Sequence, residues 1–196
     1  IEKFTMEEAA ARFDLATVSP APTKLPYSKL DWLNGQYIQE MDPLALAQAV
    51  RPYLQAAGLD VSLDALLVVM PPMRVRLKRF PDAIPFLRFL SEEMPLPESA
   101  AALTHKHLPL DAAAAALREA RELLANLEPF TLDEISTRLI AIGEKHTGNG
   151  KAGPFLGQMR LAVTGQQVSP PLFESAVALG RQRVVARLDQ ILTLFA

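Results

Sequence analysis

A chain of 196 residues, 49% hydrophobic and 21% charged, is long enough for one large or two small domains. Its formal net charge of −2 excludes a globally basic nucleic-acid binder, and its lack of cysteine excludes disulfides and thiolate metal sites. No apolar run approaches the ~20 residues of a membrane span, and residues 1–10 lack the basic start and apolar block of a signal peptide, so a cytoplasmic protein is expected.

In chain order, Thr5-Met-Glu-Glu8 reads as a capping box that opens a short helix to about Phe13. Residues 14–27, with Pro20, Pro22 and Pro26, read as an extended connector. Ser28 then starts a helix through Ile38, whose only tryptophan, Trp32, is expected in the core. Asp42-Pro43 is an N-cap followed by proline at the first helical position, and Pro52 should bend or divide the helix that runs on to Gly58. A helix from Ser62 should stop at Met70, before Pro71-Pro72. A basic run, Arg74 to Arg79, precedes a helix near 81–93, and Pro95 and Pro97 mark the expected domain boundary.

The second half reads as equally helical. Asp111 should cap a helix to about Leu127, and Thr131-Leu-Asp-Glu134 is a second capping box for a helix to Lys145. A glycine-containing loop, 146–153, leads to helices near 154–163, 170–179 and 181–195. The class is therefore all-α with no substantial sheet, in two helical subdomains, 1–97 and 98–196.

Charge is segregated along this chain. Residues 70–90 hold Arg74, Arg76, Lys78, Arg79 and Arg88 against Asp82, and residues 151–196 hold Lys151, Arg160, Arg181, Arg183 and Arg187 against Glu174 and Asp189. Two basic patches on an acidic body suit a local polyanion contact or, equally, two solvated faces. The stretch 160–183 is the more informative. Ser169 stands where an N-cap belongs, Pro170 at the first helical position and Gly180 at a helix stop. The turn 164–169 should then present backbone N–H groups and a Ser hydroxyl outward between Arg160 and Arg181, as a seat for an RNA base or phosphate. The competing reading is a helical hairpin with a solvated basic end.

Other motifs fail on context. Gly148-Asn-Gly-Lys-Ala-Gly153 fits G-x-G-x-x-G but follows a helix rather than a strand, and Lys151 lacks the Ser or Thr of a P-loop. His105 and His107, two apart, would point to different sides of a helix, so no metal site is expected. No nucleophile–base constellation is visible, so no catalytic residue is assigned.

Longer motifs carry a family resemblance. Lys29-Leu-Asp-Trp-Leu-Asn-Gly-Gln-Tyr-Ile38 resembles the K-L-x-W-L-N-x-x-Y-I signature of bacterial glutamyl-tRNA synthetases. Ala11-Arg-Phe-Asp-Leu15 with Val18-Ser19 is similar to their R-F-D-L-x-x-V-S segment. Leu161-Ala-Val-Thr-Gly165, Ser169-Pro-Pro-Leu-Phe-Glu174 and Leu179-Gly-Arg resemble the family's terminal motifs, in the same order. The resemblance implies a class I ligase that joins glutamate to its tRNA using ATP and Mg²⁺. The catalytic H-I-G-H-type and K-M/L-S-K signatures do not occur here, and the chain opens at Ile1 rather than Met. The expectation is thus a piece of a longer enzyme: the end of its stem-contact region plus two helical anticodon-binding subdomains, holding no cofactor and catalysing nothing alone.

The family likeness also implies a set of RNA contacts. Arg74-Val-Arg-Leu-Lys-Arg79 matches the anticodon-reading R-x-x-T-L-K-E segment, one residue shorter before its Leu-Lys pair, with Arg74 as the best match and Arg76 in reserve. An arginine there favours cytosine as the third anticodon base, whereas glutamine is associated with enzymes that also charge glutamine tRNA. Arg160 matches the arginine before the A-L-T-G turn, and Ser169, Pro170 and Leu172 match the stretch packed on the first two anticodon bases. Pro171 departs from a glycine found in relatives. The partner so implied is tRNA(Glu), bound by a monomer through its anticodon loop. The alternative is a helical protein-interaction module without RNA.

Overall fold

The computed structural model describes residues 3–18, 21, 24 and 26–196, so Ser19, Pro20 and Pro22 of the expected connector lie outside it. The described residues form ten α-helices: α1 (Met6–Arg12), α2 (Tyr27–Glu40), α3 (Pro43–Ala56), α4 (Leu63–Met73), α5 (Ile84–Leu87), α6 (Leu110–Asn126), α7 (Leu132–His146), α8 (Gly153–Thr164), α9 (Leu172–Leu179) and α10 (Arg181–Leu192). Short 3-10 turns join several of them. Among the described residues no strand forms; His105 and Leu108 make an isolated antiparallel bridge. The class is all-α, as expected.

Capping chemistry sets several of the starts. Thr5 and Glu8 exchange both capping-box bonds, at 3.1 and 2.8 Å. Asp42 accepts from the N–H groups of Leu44 and Ala45, and Ser62 from that of Ala65. Two other caps differ from expectation. The N-cap of α6 is Pro109, whose extended backbone starts the helix one residue ahead of Asp111. Thr131 makes no side-chain cap, and the return half of the box is absent too: its N–H donates to the Pro129 carbonyl while the Glu134 carboxylate pairs with Arg138.

Proline behaves less decisively than its propensity suggests. Helix α3 runs unbroken through Pro52, which is exposed; the carbonyl it frees belongs to exposed Gln48. Helix α4 does not stop at Met70 but carries Pro71 and Pro72 in its last turn. Burying Leu66, Val69, Met70 and Met73 contributes roughly 1.5–3 kcal/mol each, enough to offset the ~3 kcal/mol cost of each helical proline; all four are fully buried. The single helix expected over 81–93 is instead a 3-10 turn, α5 and a second 3-10 turn. Pro81 is tolerated at the helix start, but Pro85 lacks the N–H that would donate to the Pro81 carbonyl, which breaks the i→i−4 ladder one turn in. Trp32 is 41% exposed and lies outside the core.

The buried side chains form one apolar cluster that runs from Ile38 to Ile191. Within it α4 packs on α3 and α9, and α6 on α7 and α10. The arginines of α10 fasten this body from outside the cluster. Arg183 donates to the carbonyls of Phe89 and Leu90, Arg187 to those of Met94 and Pro95, and Arg181 to that of Leu127. Arg181 also pairs with Glu128 at 2.7 Å and lies over the Phe130 ring. Burial pushes the Arg187 guanidinium below its ordinary pKa. These residues were expected to make a basic surface patch; the structure lays them along the surface as donors to backbone carbonyls, with Arg183 still exposed.

Glycines close two tight places. Gly165 ends α8 in the left-handed region, φ +66°, and a Cβ there would stand 2.5 Å from Met94 Cβ. Gly143 of α7 lies against Ala152, leaving no room for a Cβ. The 146–153 loop is thereby a helix connector, pinned by the Gly148 N–H donating to the His107 carbonyl at 2.8 Å.

Two stability experiments follow from these contacts. Gly165→Ala should cost about 3 kcal/mol, combining left-handed strain with overpacking. Gly150→Ala, at φ +64° with nothing within 4 Å, should cost about 1 kcal/mol. Urea midpoints check the ranking, and equal losses would refute the close approach.

Glu119 of α6 lies 2.6 Å from His146 Nε2 and 2.8 Å from Lys145 Nζ on α7, and these bonds hold its carboxyl below the ordinary glutamate value. A depressed folded pKa gives stability that is present above the unfolded value of ~4.3 and is lost as pH falls through the folded one. Glu119→Gln should therefore lower stability at neutral pH and flatten its decline between roughly pH 5 and pH 2, as read by urea midpoints at each pH.

Candidate nucleic-acid interface

Helix α4 passes straight into a 3-10 turn, Arg74–Arg76. Met73 and Leu77, both fully buried, anchor the two ends, and Val75 and Arg76 between them are exposed. Helix α2 holds the segment from behind. The Asn34 amide donates to the Lys78 carbonyl, and Gly35 lies so close that a Cβ would stand 3.2 Å from the Leu77 carbonyl oxygen. Two residues of the Lys29–Ile38 motif thus set the position of the basic run. Its far end is neutralised: Asp82 accepts from the N–H groups of Lys78 and Arg79, and the Arg79 guanidinium lies between Asp31 and Asp82 at 3.8 and 3.6 Å. Among the described residues, Arg74 and Arg76 form no ion pair.

The α8–α9 turn differs from its expected form. Pro171, not Ser169, occupies the N-cap of α9. Pro170 precedes another proline and is kept out of the helical region, which moves the helix start to Leu172. The Ser169 hydroxyl does not face outward; it is buried and donates to the Pro170 carbonyl at 2.9 Å. Pro170 is buried too, and Leu172, 3% exposed, belongs to the core. The residues that this turn presents to solvent are Gln167 and Val168.

One hydrogen bond joins the two segments. Arg76 Nη1 donates to the Ser169 carbonyl at 2.8 Å, across 93 residues of sequence. Arg76, Ser169 and Pro170 therefore meet at one junction, and Arg74 starts the same turn as Arg76. Leu172 supports this junction from the core and presents no face to a base.

Arg160 stands on α8 beside a cleft of about 450 Å³, also lined by Thr104, His105, Gly157, Gln158 and Gln167. Its Nε is buried and makes no hydrogen bond. Gln158 is 5% exposed, and neither its amide oxygen nor its amide nitrogen has a partner. Gln167 belongs both to this cleft and to the α8–α9 turn, so the cleft opens beside the junction. Sequence reasoning missed Thr104, His105, Gln158 and Gln167. Thr104 and His105 lie in a loop with no motif, and no spacing rule marks a glutamine whose amide goes unanswered.

His105 and His107 sit in a tight turn. Their rings are 5.5 Å apart, and the His107 N–H donates to His105 Nδ1. Among the described residues, no group of three or more His, Asp or Glu side chains is arranged around a common point that could hold a metal ion.

Comparison with known proteins gives this geometry a family. The family described as "Anticodon binding domain" matches residues 45–192. A glutamate–tRNA ligase of Roseiflexus sp. (strain RS-1) is 38% identical over 96% of the chain, and one of Chloroflexus aurantiacus is 33% identical over 95%. The chain spans 38% of the length of each of these relatives. A solved glutamate tRNA ligase from Elizabethkingia meningosepticum, in complex with its amino acid, superposes with a TM-score of 0.79 at 23% identity. That likeness of fold covers 98% of this chain and 37% of the other. With most of its length inside the family match, and an all-helical body that superposes on such a ligase, this chain belongs to the anticodon-binding domain family.

Proposed function

We propose that the chain is the anticodon-reading part of a glutamate–tRNA ligase and that it binds tRNA(Glu) through the anticodon loop. The observation that carries this reading is the family match over residues 45–192, joined to whole-chain similarity with glutamate–tRNA ligases. The Arg76–Ser169 bond supports it, because it brings together the two segments to which RNA contacts are assigned.

In this reading the anticodon bases leave their stack and are held from two sides. Arg74 and Arg76, free of acidic partners, donate to base edges or phosphates on one side. The 165–171 turn faces them, with Ser169, Pro170 and Leu172 acting as its buried support and Arg160 as a donor at its flank. ATP and Mg²⁺ are assigned to the part of the ligase that this chain does not span, and no catalytic step is assigned here. The reading places a monomer in the cytoplasm. No observation favours a protein-interaction role.

Binding to tRNA(Glu), tRNA(Gln) and an anticodon-altered tRNA(Glu) over a salt series tests the proposal. Arg74→Ala and Arg160→Ala should each remove roughly 1–3 kcal/mol of the preference for tRNA(Glu). A residue that touches phosphate alone should instead weaken all three RNAs alike and lower the salt slope by about one. Equal affinity of the unaltered chain for every RNA would refute anticodon reading.

A further inference from the structure

We infer that Gln166 and Arg76 are positioning residues that clamp the α8–α9 turn at its two ends, and that this clamp sets how tightly the turn engages RNA. The inference rests on the proposed RNA-binding function and adds to it the means by which one side of the interface is held in shape.

The turn has little of its own to hold it. Its last local bond at the α8 end runs from the Gln166 N–H to the Thr164 hydroxyl at 3.2 Å. Among the described residues, the N–H groups of Gln167, Val168 and Ser169 donate to no backbone carbonyl. Gln167 and Val168 are exposed, so no core contact fixes the crest either. A segment without backbone bonds or burial belongs to the low end of local stability.

Two side-chain bonds close this gap, both to the first half of the chain. At the α8 end, Gln166 Nε2 donates to the Pro85 carbonyl at 2.9 Å, across 81 residues of sequence. At the α9 end, the Ser169 carbonyl accepts from Arg76 Nη1 at 2.8 Å. The turn supplies the donor in one bond and the acceptor in the other. Gln167 and Val168 are thus suspended between two fixed points. Their conformational freedom is spent before a ligand arrives, which is preorganisation.

The helices themselves do not need the clamp. Helix α9 packs on α4 and on α8, and Gly165 is wedged against Met94. Loss of either bond therefore loosens the crest without unseating the helices. The Gln166 amide oxygen is buried and makes no hydrogen bond. An apolar side chain of similar length removes that unanswered atom together with the bond, so global stability changes little. Affinity should respond instead, because a site that is competent only part of the time binds in proportion to that fraction. Gln166 carries no charge, so its loss should leave the salt dependence, which counts phosphate contacts, as it was.

The test compares Gln166→Met, Arg76→Met and Arg76→Lys with the unaltered chain. Each is titrated with tRNA(Glu) over a salt series and melted. The chain has no cysteine, and Val168 is 65% exposed, so Val168→Cys in each background takes a single nitroxide label whose mobility reports the crest. Gln166→Met should raise the label mobility and weaken tRNA(Glu) binding roughly 2- to 12-fold, the worth of one net hydrogen bond. Its salt slope and melting temperature should match those of the unaltered chain. Arg76→Met should raise the label mobility too, and Arg76→Lys, which keeps a donor, should restore it. If the unaltered chain prefers tRNA(Glu) but Gln166→Met binds it as tightly, or loses affinity with the label no more mobile, the clamp is overturned and the anticodon reading survives. A lysine that fails to restore the label mobility removes Arg76 from the clamp. If the unaltered chain binds every RNA alike, the anticodon reading falls and the clamp falls with it.

Discussion

The body of this molecule depends on arginines that answer backbone carbonyls. Between α5 and α6 the chain turns through 3-10 pieces and an extended proline-containing stretch, which together leave Phe89, Leu90, Met94 and Pro95 carbonyls without helical partners. Phe89 and Leu90 are buried, and an unanswered buried carbonyl costs about 1–3 kcal/mol. Arg183 and Arg187, one turn apart on α10, reach across more than ninety residues of sequence to supply the donors. A helix of the last third thereby fixes the irregular middle, and Gly165 can close against Met94 because Arg187 holds that residue's carbonyl.

The same mechanism explains where the sequence was legible and where it was not. Helix periodicity and short-range capping chemistry are local, so the all-α class, the Thr5 and Asp42 caps and the Gly180 stop could all be read directly. The proline readings failed because they weigh a local cost against a burial that sequence alone does not display: Pro71-Pro72 sits inside α4 because Met70 and Met73 are core. Pairs of prolines carried the opposite error at Ser169, where Pro171 governs Pro170 and shifts the cap by two residues. Charge was the least legible feature. Arg181, Arg183 and Arg187 look like a free basic surface in sequence, yet their guanidinium groups are engaged by backbone carbonyls, and nothing local distinguishes the two uses.

The candidate site shows a similar division. Family motifs pointed to residues on two segments, and Arg76 and Ser169 do meet. The sense of the contact was not foreseeable, since it uses the Ser169 carbonyl rather than its hydroxyl. Asn34 and Gly35 read as part of a signature, and their physical task is to hold the basic run from behind. Gln158 had no signature at all; it stands out only when hydrogen-bond capacity is counted in three dimensions.

The ion pairs of this body have a kinetic consequence for any polyanion that approaches it. Arg121 is matched by Asp189, Lys145 by Glu119, Arg181 by Glu128 and Arg79 by Asp31 and Asp82. Beyond a screening distance of about 8 Å at physiological salt, a molecule of net charge −2 offers an incoming phosphate backbone no general attraction. Encounter is then unsteered, at the ~10⁵–10⁶ M⁻¹s⁻¹ of a neutral pair. With tRNA as the partner proposed above, discrimination falls to the lifetime of the complex once contact is made, and this surface acts as a latch rather than a magnet.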